Sequence, residues 1–182
     1  MLRRSLWAAP AALVLAGTAL ARPKARSKDT TPGSPPRPAG LIGAWLLVAA
    51  ETQQANGDTL PVFGGRASGL LVYDRSGEMS LQIAGERPPA GSVEIYQELS
   101  AQERMVYLDN YYAYFGAFEV DEAAQSVIHR VLASLRPNET GVTYHRKYTI
   151  EGERLTLAST PETHAGETVT SRMIFVRAAP LA

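Results

Sequence analysis

The sequence predicts an all-β protein, a single up-and-down antiparallel β-barrel of eight or nine strands with one helix. From Gly40 onward, apolar and polar residues alternate with period two in short runs, which is typical of strands that bury one face. Glycine, proline, asparagine and aspartate separate these runs, and a single segment has helical periodicity. Strands joined by successive hairpins favour closure into a barrel, because closure leaves no exposed sheet edge.

Composition limits the functions that the chain can have. The 182 residues include 18 lysines and arginines against 18 aspartates and glutamates, so net charge does not draw the protein to nucleic acid or to an anionic membrane. The chain has no cysteine, which excludes disulfides, thiol catalysis and cysteine-ligated metal sites. Histidines with metal-ligand spacing, a phosphate loop, a dinucleotide motif and a nucleophile elbow are also missing. We therefore expect no metal, no cofactor and no nucleic-acid partner.

The N-terminus carries an export signal. Residues 1–21 combine a basic start, an apolar run from Leu6 to Leu20 and small residues at Ala19 and Ala21, which predicts a signal peptide cleaved after Ala21. The run is too short for a stable membrane anchor. Residues 22–39 are expected to form a disordered, proline-rich linker, residues 40–178 the barrel domain and residues 179–182 a tail. We expect the protein in the periplasm or outside the cell.

The first half of the barrel domain is predicted to contain a strand and then a hairpin. The first strand runs from Gly43 to Glu51. One of its faces carries Trp45, Leu47 and Ala49. After breaks at glycines, the hairpin pairs Gly69–Asp74 with Glu78–Ile83 through a tight turn that ends in Gly77.

One helix is predicted after the proline-rich loop Gly85–Gly91. Ser100 is its expected N-cap, and Glu103 occupies the capping-box position. Met105, Leu108 and Tyr112 follow at spacings of three and four residues, so the helix is expected to end near Tyr112.

Strand patterns resume after the helix. A first strand carries Tyr114, Gly116, Phe118 and Val120 on one face, and residues 125–134 form the next. Thr143–Glu151 alternates most regularly, with an even-numbered face of Tyr144, Arg146, Tyr148 and Ile150. Arg154–Ser159 and Thr168–Arg177 complete the predicted barrel.

The sequence resembles a known family. Gly43-Ala44-Trp45 on the first strand is similar to the lipocalin opening motif. A longer series resembles the bacterial lipocalin-like domain family in order and spacing: Ala113–Asp121, Val127–His129, Ser134–Asn138, Gly141, Arg146 and Arg154–Leu157. The resemblance covers about Leu41 to Val176 and implies a small barrel with an internal cavity.

Gly43 and Trp45 are expected to have structural roles. In a barrel of this kind Trp45 would plug the closed end. Its ring would lie under an arginine of the last strand, either Arg172 or Arg177.

Arg146 is the most informative polar residue. Period-two logic places it on the inward face of its strand. A buried cation needs a partner, because an unpaired internal charge is costly. Arg146 either pairs with an internal carboxylate such as Glu119 or Glu51, or presents its guanidinium to a ligand with an acidic or carbonyl oxygen.

His129 shares its face with Val127 and Val131, which favours an inward position. A single histidine on an apolar face is either a hydrogen-bonded core residue or a group that contacts a ligand. Because the ordinary pKa of histidine is near neutrality, His129 is also the natural general acid or base if the protein is an enzyme.

Three functional hypotheses follow. The first, which the sequence favours, is an exported protein that binds a small, mostly apolar molecule bearing a carboxylate or a carbonyl inside its barrel. The second is a cofactor-free isomerase or cyclase in the same cavity, with His129, Arg146 and Tyr114 as catalytic candidates. The third is a structural or interaction module with a filled barrel. The candidate ligand-binding residues are Tyr73, Met79, Leu81, Tyr114, Phe118, His129, Arg146, Tyr148 and Ile150.

Overall fold

The computed structural model describes residues 40–86, 98–164 and 166–179. The predicted signal peptide (1–21) and linker (22–39) lie outside the described residues. Most of the proline-rich loop after Gly85 and most of the C-terminal tail also lie outside them.

Ten antiparallel strands and one α-helix make up the regular structure of the described residues. The elements are β1 (Gly43–Gln54), β2 (Thr59–Pro61), β3 (Ser68–Tyr73), β4 (Glu78–Ala84), α1 (Ala101–Asp109), β5 (Tyr111–Asp121), β6 (Ser126–Ser134), β7 (Thr143–Glu151), β8 (Arg154–Ser159), β9 (Glu162–His164) and β10 (Glu167–Arg177). Short 3₁₀ turns occupy Phe63–Gly65 and Pro137–Glu139.

Eight of the strands close into a barrel, in the order β1-β3-β4-β5-β6-β7-β8-β10. The barrel closes where β10 pairs with β1, from Trp45 opposite Arg177 to Gln54 opposite Val169. The short strands β2 and β9 extend the sheet beside β1 and β10. The predicted up-and-down barrel is therefore confirmed, with two extra strands.

Trp45 plugs one end of the barrel, here called the closed end. Its side chain is fully buried, and its indole nitrogen donates to the Leu41 carbonyl at 2.9 Å. The Arg177 guanidinium lies 4.1 Å from the centre of the indole ring and donates to the Ile42 carbonyl at 3.0 Å. Gly43 lies beneath this guanidinium, since a Cβ there would come within 3.0 Å of Arg177 Nη1. Of the two predicted arginines, Arg177 is the one over Trp45.

The strand β1 does not alternate regularly along its whole length. Its pairing with β10 shifts register between Leu47 and Ala49, which is a β-bulge. As a result Ala50 is buried, whereas Ala49, predicted to share the face of Trp45, is only half-buried.

The helix α1 starts as predicted and ends earlier than predicted. Ser100 Oγ accepts from the Glu103 amide at 3.2 Å, and the Glu103 carboxylate accepts from the Ser100 amide at 2.8 Å, so the capping box is confirmed. The helix ends at Asp109, because Tyr112 joins β5, pairs with Ile83 and buries its ring inside the barrel. No residue of α1 is buried, and no described helix is long and apolar enough to cross a membrane.

Candidate functional site

The end of the barrel opposite Trp45, here called the open end, contains a cavity of about 890 Å³. This volume falls in the range of pockets that hold small molecules. The wall is built from the strand ends that meet there and from the adjacent loops, and it includes Ala50, Phe63, Ile83, Tyr112, Tyr144, Arg146 and Met173.

Arg146 lies on β7, is only 7% exposed and forms part of the cavity wall. Its guanidinium carbon stands 4.9 Å from the centre of the Tyr144 ring. Its Nε is shielded from solvent and has no hydrogen-bond partner. The fold therefore leaves a buried cation with at least one unused donor beside an open cavity.

Neither carboxylate that the sequence suggested as a partner reaches Arg146. Glu119 lies on the outward face of β5 and pairs with Arg130 at 3.0 Å. Glu51 pairs with Arg172 of β10 at 3.1 Å. The hypothesis that Glu119 or Glu51 neutralises Arg146 is therefore wrong, because each of them already has another arginine.

Among the described residues, tyrosines rather than carboxylates are the titratable groups that act on Arg146. Burial raises the pKa of Tyr73, of Tyr112 and of Tyr114, so these phenols are neutral at ordinary pH. Burial alone would lower the pKa of Arg146, but Tyr114 and Tyr112 outweigh that effect and the pKa is raised. The guanidinium thus keeps its charge among neutral dipoles, which solvate the cation without neutralising it.

His129 lies on the inward face of β6, deeper in the barrel than the cavity. It is fully buried between two tyrosines, with Nε2 2.6 Å from the Tyr73 hydroxyl and Nδ1 2.8 Å from the Tyr114 hydroxyl. Burial, and then the charge of Arg146, hold the pKa of His129 well below its ordinary value. The ring is therefore neutral, so one nitrogen donates and the other accepts.

The contacts of His129 favour one of its two alternatives. Both ring nitrogens already have a partner, and the imidazole is not part of the cavity wall. A hydrogen-bonded core residue fits these contacts, whereas a molecule in the cavity has no direct route to the ring.

Most of the other predicted ligand contacts belong to the packed interior between the cavity and the closed end. Tyr73, Met79, Leu81, Tyr114 and Phe118 are buried there, and Tyr148 and Ile150 pack against the same cluster. The rings of Tyr73 and Phe118, for example, pack in a tilted arrangement with their centres 4.6 Å apart. Among the nine candidate ligand-binding residues, Arg146 alone lies on the wall of this cavity.

The sequence reasoning missed several groups at the open end. Tyr112 was assigned to the helix and Glu139 lies between two predicted strands, yet both line the cavity. Glu139 is 8% exposed; it accepts from Ser134 Oγ at 3.0 Å and pairs with Arg136 at 3.5 Å. The order of the hairpins could have indicated both residues. The start of β5, the end of β6 and the start of β7 must meet at one end of the barrel, and Tyr112 and Glu139 lie at that end.

The fold and the cavity together define a lipocalin-type binding protein. The lipocalin-like domain family matches residues 42–178, which is most of the chain, so the protein belongs to that family. A comparison with curated proteins finds no matching sequence. Within the described residues, no three histidine, aspartate or glutamate side chains converge in a way that could hold a metal ion.

Proposed function

We propose that this protein binds a small, mostly apolar molecule in the cavity at the open end, and that Arg146 contacts an acidic or carbonyl oxygen of that molecule. The observation that carries the proposal is the buried guanidinium on the cavity wall, which has no carboxylate within ion-pair distance among the described residues. An uncompensated buried charge costs several kcal/mol. A ligand oxygen that accepts from the guanidinium would offset part of that cost.

The rest of the wall suits an apolar body. Ala50, Phe63, Ile83 and Met173 contribute hydrocarbon and aromatic surface from β1, the 3₁₀ turn, β4 and β10. An apolar cavity with a few convergent polar groups is the usual form of a small-molecule site. The cavity also weighs against a structural module with a filled barrel, since the open end is not filled by the described side chains.

We further propose that the protein is exported. The support is the pattern of residues 1–21: a basic start, an apolar run and small residues at a cleavage position. N-terminal sequencing of the protein recovered from the cells that make it tests this proposal. A mature chain that begins at Arg22 supports export, and a chain that retains residues 1–21 contradicts it.

Arg146→Met tests the binding site, because methionine keeps an unbranched apolar stem and removes the charge. Titration with the fluorescent anion anilinonaphthalene sulfonate is expected to show at least about tenfold weaker binding to this variant than to the wild type. Arg130→Met is the matched control, since Arg130 is exposed on the outside of β6; its affinity is expected to equal that of the wild type. Equal affinity of Arg146→Met and wild type, or no binding to either, contradicts the proposal.

The stability of the same variant separates a binding role from a structural role. Replacing a buried charge by an apolar side chain is often neutral or stabilising. We therefore expect the free energy of unfolding of ligand-free Arg146→Met to fall below the wild-type value by no more than about 1 kcal/mol. A large loss of stability would mean that Arg146 mainly holds the core together.

Native mass spectrometry of protein purified from its own host, followed by denaturing extraction, would identify the natural ligand.

A further inference from the structure

We infer that the cavity selects molecules with a single negative charge, an acid whose acidic group meets Arg146, over neutral analogues and over dianions. This inference rests on the proposed function, because it names the chemical class bound at the same site. It comes from the charged side chains on the described cavity wall, which include six residues besides Arg146.

The part of the wall formed by the described residues combines three arginines with four carboxylates. They are Arg136, Arg146 and Arg172, and Glu51, Asp109, Glu139 and Glu162. The formal charge of the wall is therefore one negative unit, so the cavity has no general attraction for anions. Any preference for an anion must come from one local position rather than from the site as a whole.

Two of the three arginines already have a carboxylate partner. Arg172 contacts Glu51 at 3.1 Å, and these side chains are only 30% and 20% exposed. Arg136 contacts Glu139 at 3.5 Å, and the Glu139 side chain is 11% exposed. Each pair is locally neutral, and a ligand anion would have to compete with a carboxylate that is already in place. Arg146 is the remaining arginine among the described residues of the wall.

A neutral oxygen cannot satisfy Arg146 as well as an anion can. A carbonyl accepts a hydrogen bond but leaves the guanidinium charge uncompensated among tyrosines that are themselves neutral. A carboxylate compensates the charge, and hydrogen bonds between charged groups are about twice as strong as those between neutral ones. The planar guanidinium fork also matches the geometry of a carboxylate.

For a second negative charge on the ligand, the described part of the wall offers no arginine besides Arg146 that lacks a carboxylate partner. Asp109 at the end of α1 adds an exposed carboxylate to the described wall. Within β7, Arg146 is the wall residue farthest from the open end, so an acid bound to it directs the rest of the ligand outward toward Asp109. A distal negative charge would meet a like charge there, which disfavours a dianion.

Three probes with one ring system test the inference: naphthoate, naphthamide and a naphthalene dicarboxylate with its acids at opposite ends. Isothermal titration calorimetry on the full chain is expected to show that naphthoate binds at least about tenfold more tightly than either of the other two. The preference over naphthamide is expected to disappear in Arg146→Met and to persist in Arg130→Met. Asp109→Asn is expected to improve dicarboxylate binding selectively, and added salt is expected to do the same because it screens exposed charges.

The possible outcomes separate this inference from the proposed function. If the three probes bind equally, or if the amide or the dicarboxylate binds most tightly, the inference about charge is wrong and the binding function stands. If none of the probes binds to folded wild-type protein, the proposed function itself is contradicted. The comparison of probes on the wild type does not depend on whether any variant folds.

Discussion

Lowering the pH from about 7.5 to about 5.5 is expected to reduce the free energy of unfolding by about 1.4 kcal/mol through His129 alone. Burial and the charge of Arg146 hold the pKa of His129 in the folded protein well below its ordinary value, so the folded imidazole stays neutral across this range. In the unfolded chain the same ring titrates with a pKa of about 6.5. The stability that the neutral ring contributes is therefore complete above that pH and is lost as the pH falls.

The magnitude follows from the protons bound in the two states. When the pH falls from about 7.5 to about 5.5, protonation of the ring in the unfolded chain favours the unfolded state about tenfold. A tenfold change in the unfolding equilibrium equals about 1.4 kcal/mol. Glu103 and Glu119 also have lowered pKa values, but their contributions are lost only below the unfolded carboxyl pKa of about 4.3. The two effects therefore fall in different pH ranges.

Urea denaturation followed by circular dichroism at the two pH values measures the effect. In His129→Gln the side chain still donates and accepts between the two tyrosines, so the variant is expected to lose the pH dependence while it stays folded. His145→Gln is the matched control, because His145 is exposed and is expected to leave the slope unchanged. Wild-type stability that is flat over this range, or an unaltered slope in His129→Gln, would refute the reasoning.

Three further substitutions test the packing and hydrogen bonds of the barrel by thermal and urea denaturation. Tyr73→Phe removes the hydroxyl that lies 2.6 Å from the buried imidazole and is expected to cost about 1–2 kcal/mol; full wild-type stability would mean that this hydrogen bond contributes nothing. Gly116→Ala places a Cβ in collision with the backbone carbonyl oxygen of Arg130 in β6 and is expected to cost about 3 kcal/mol or more. In Gly40→Ala the new Cβ has its nearest neighbour at 3.4 Å, so a similar loss in this control would contradict the steric explanation. Arg177→Ala removes the donors to the carbonyls that precede β1 and is expected to cost about 1–3 kcal/mol, whereas the exposed Arg154→Ala should change stability by less than about 0.5 kcal/mol.

Alternation along a strand predicts which face of the barrel a residue joins. Arg146 and His129 were both placed inward from this pattern, and both are buried. The pattern succeeds because successive side chains of a strand point to opposite sides of the sheet and one side is shielded from water. It fails in β1 after Leu47, where a bulge adds a residue and reverses the expectation for Ala49 and Ala50.

The depth of a residue within the barrel is a different quantity, and alternation carries no information about it. Tyr148 and Arg146 share one face of β7, yet Arg146 lies on the cavity wall and Tyr148 packs in the closed half. The local pattern also gave the wrong element for Tyr112. Its spacing from Met105 and Leu108 fits a helix, but the helix ends at Asp109 and Tyr112 is buried as part of β5. Pairing with β4 and burial of the ring outweigh the weak local preference.

The sequence by itself determined the class of fold, the order of the barrel strands, the capped start of α1, the inward side of the barrel and the residue that plugs one end. These features depend on neighbours in the chain and on the partition of apolar side chains away from water. Only the tertiary structure decided that Arg146 faces a cavity, that Glu51 and Glu119 belong to other arginines, and that His129 is held between two tyrosines. Those contacts join residues far apart in the chain, and barrel closure and strand register set which of them meet.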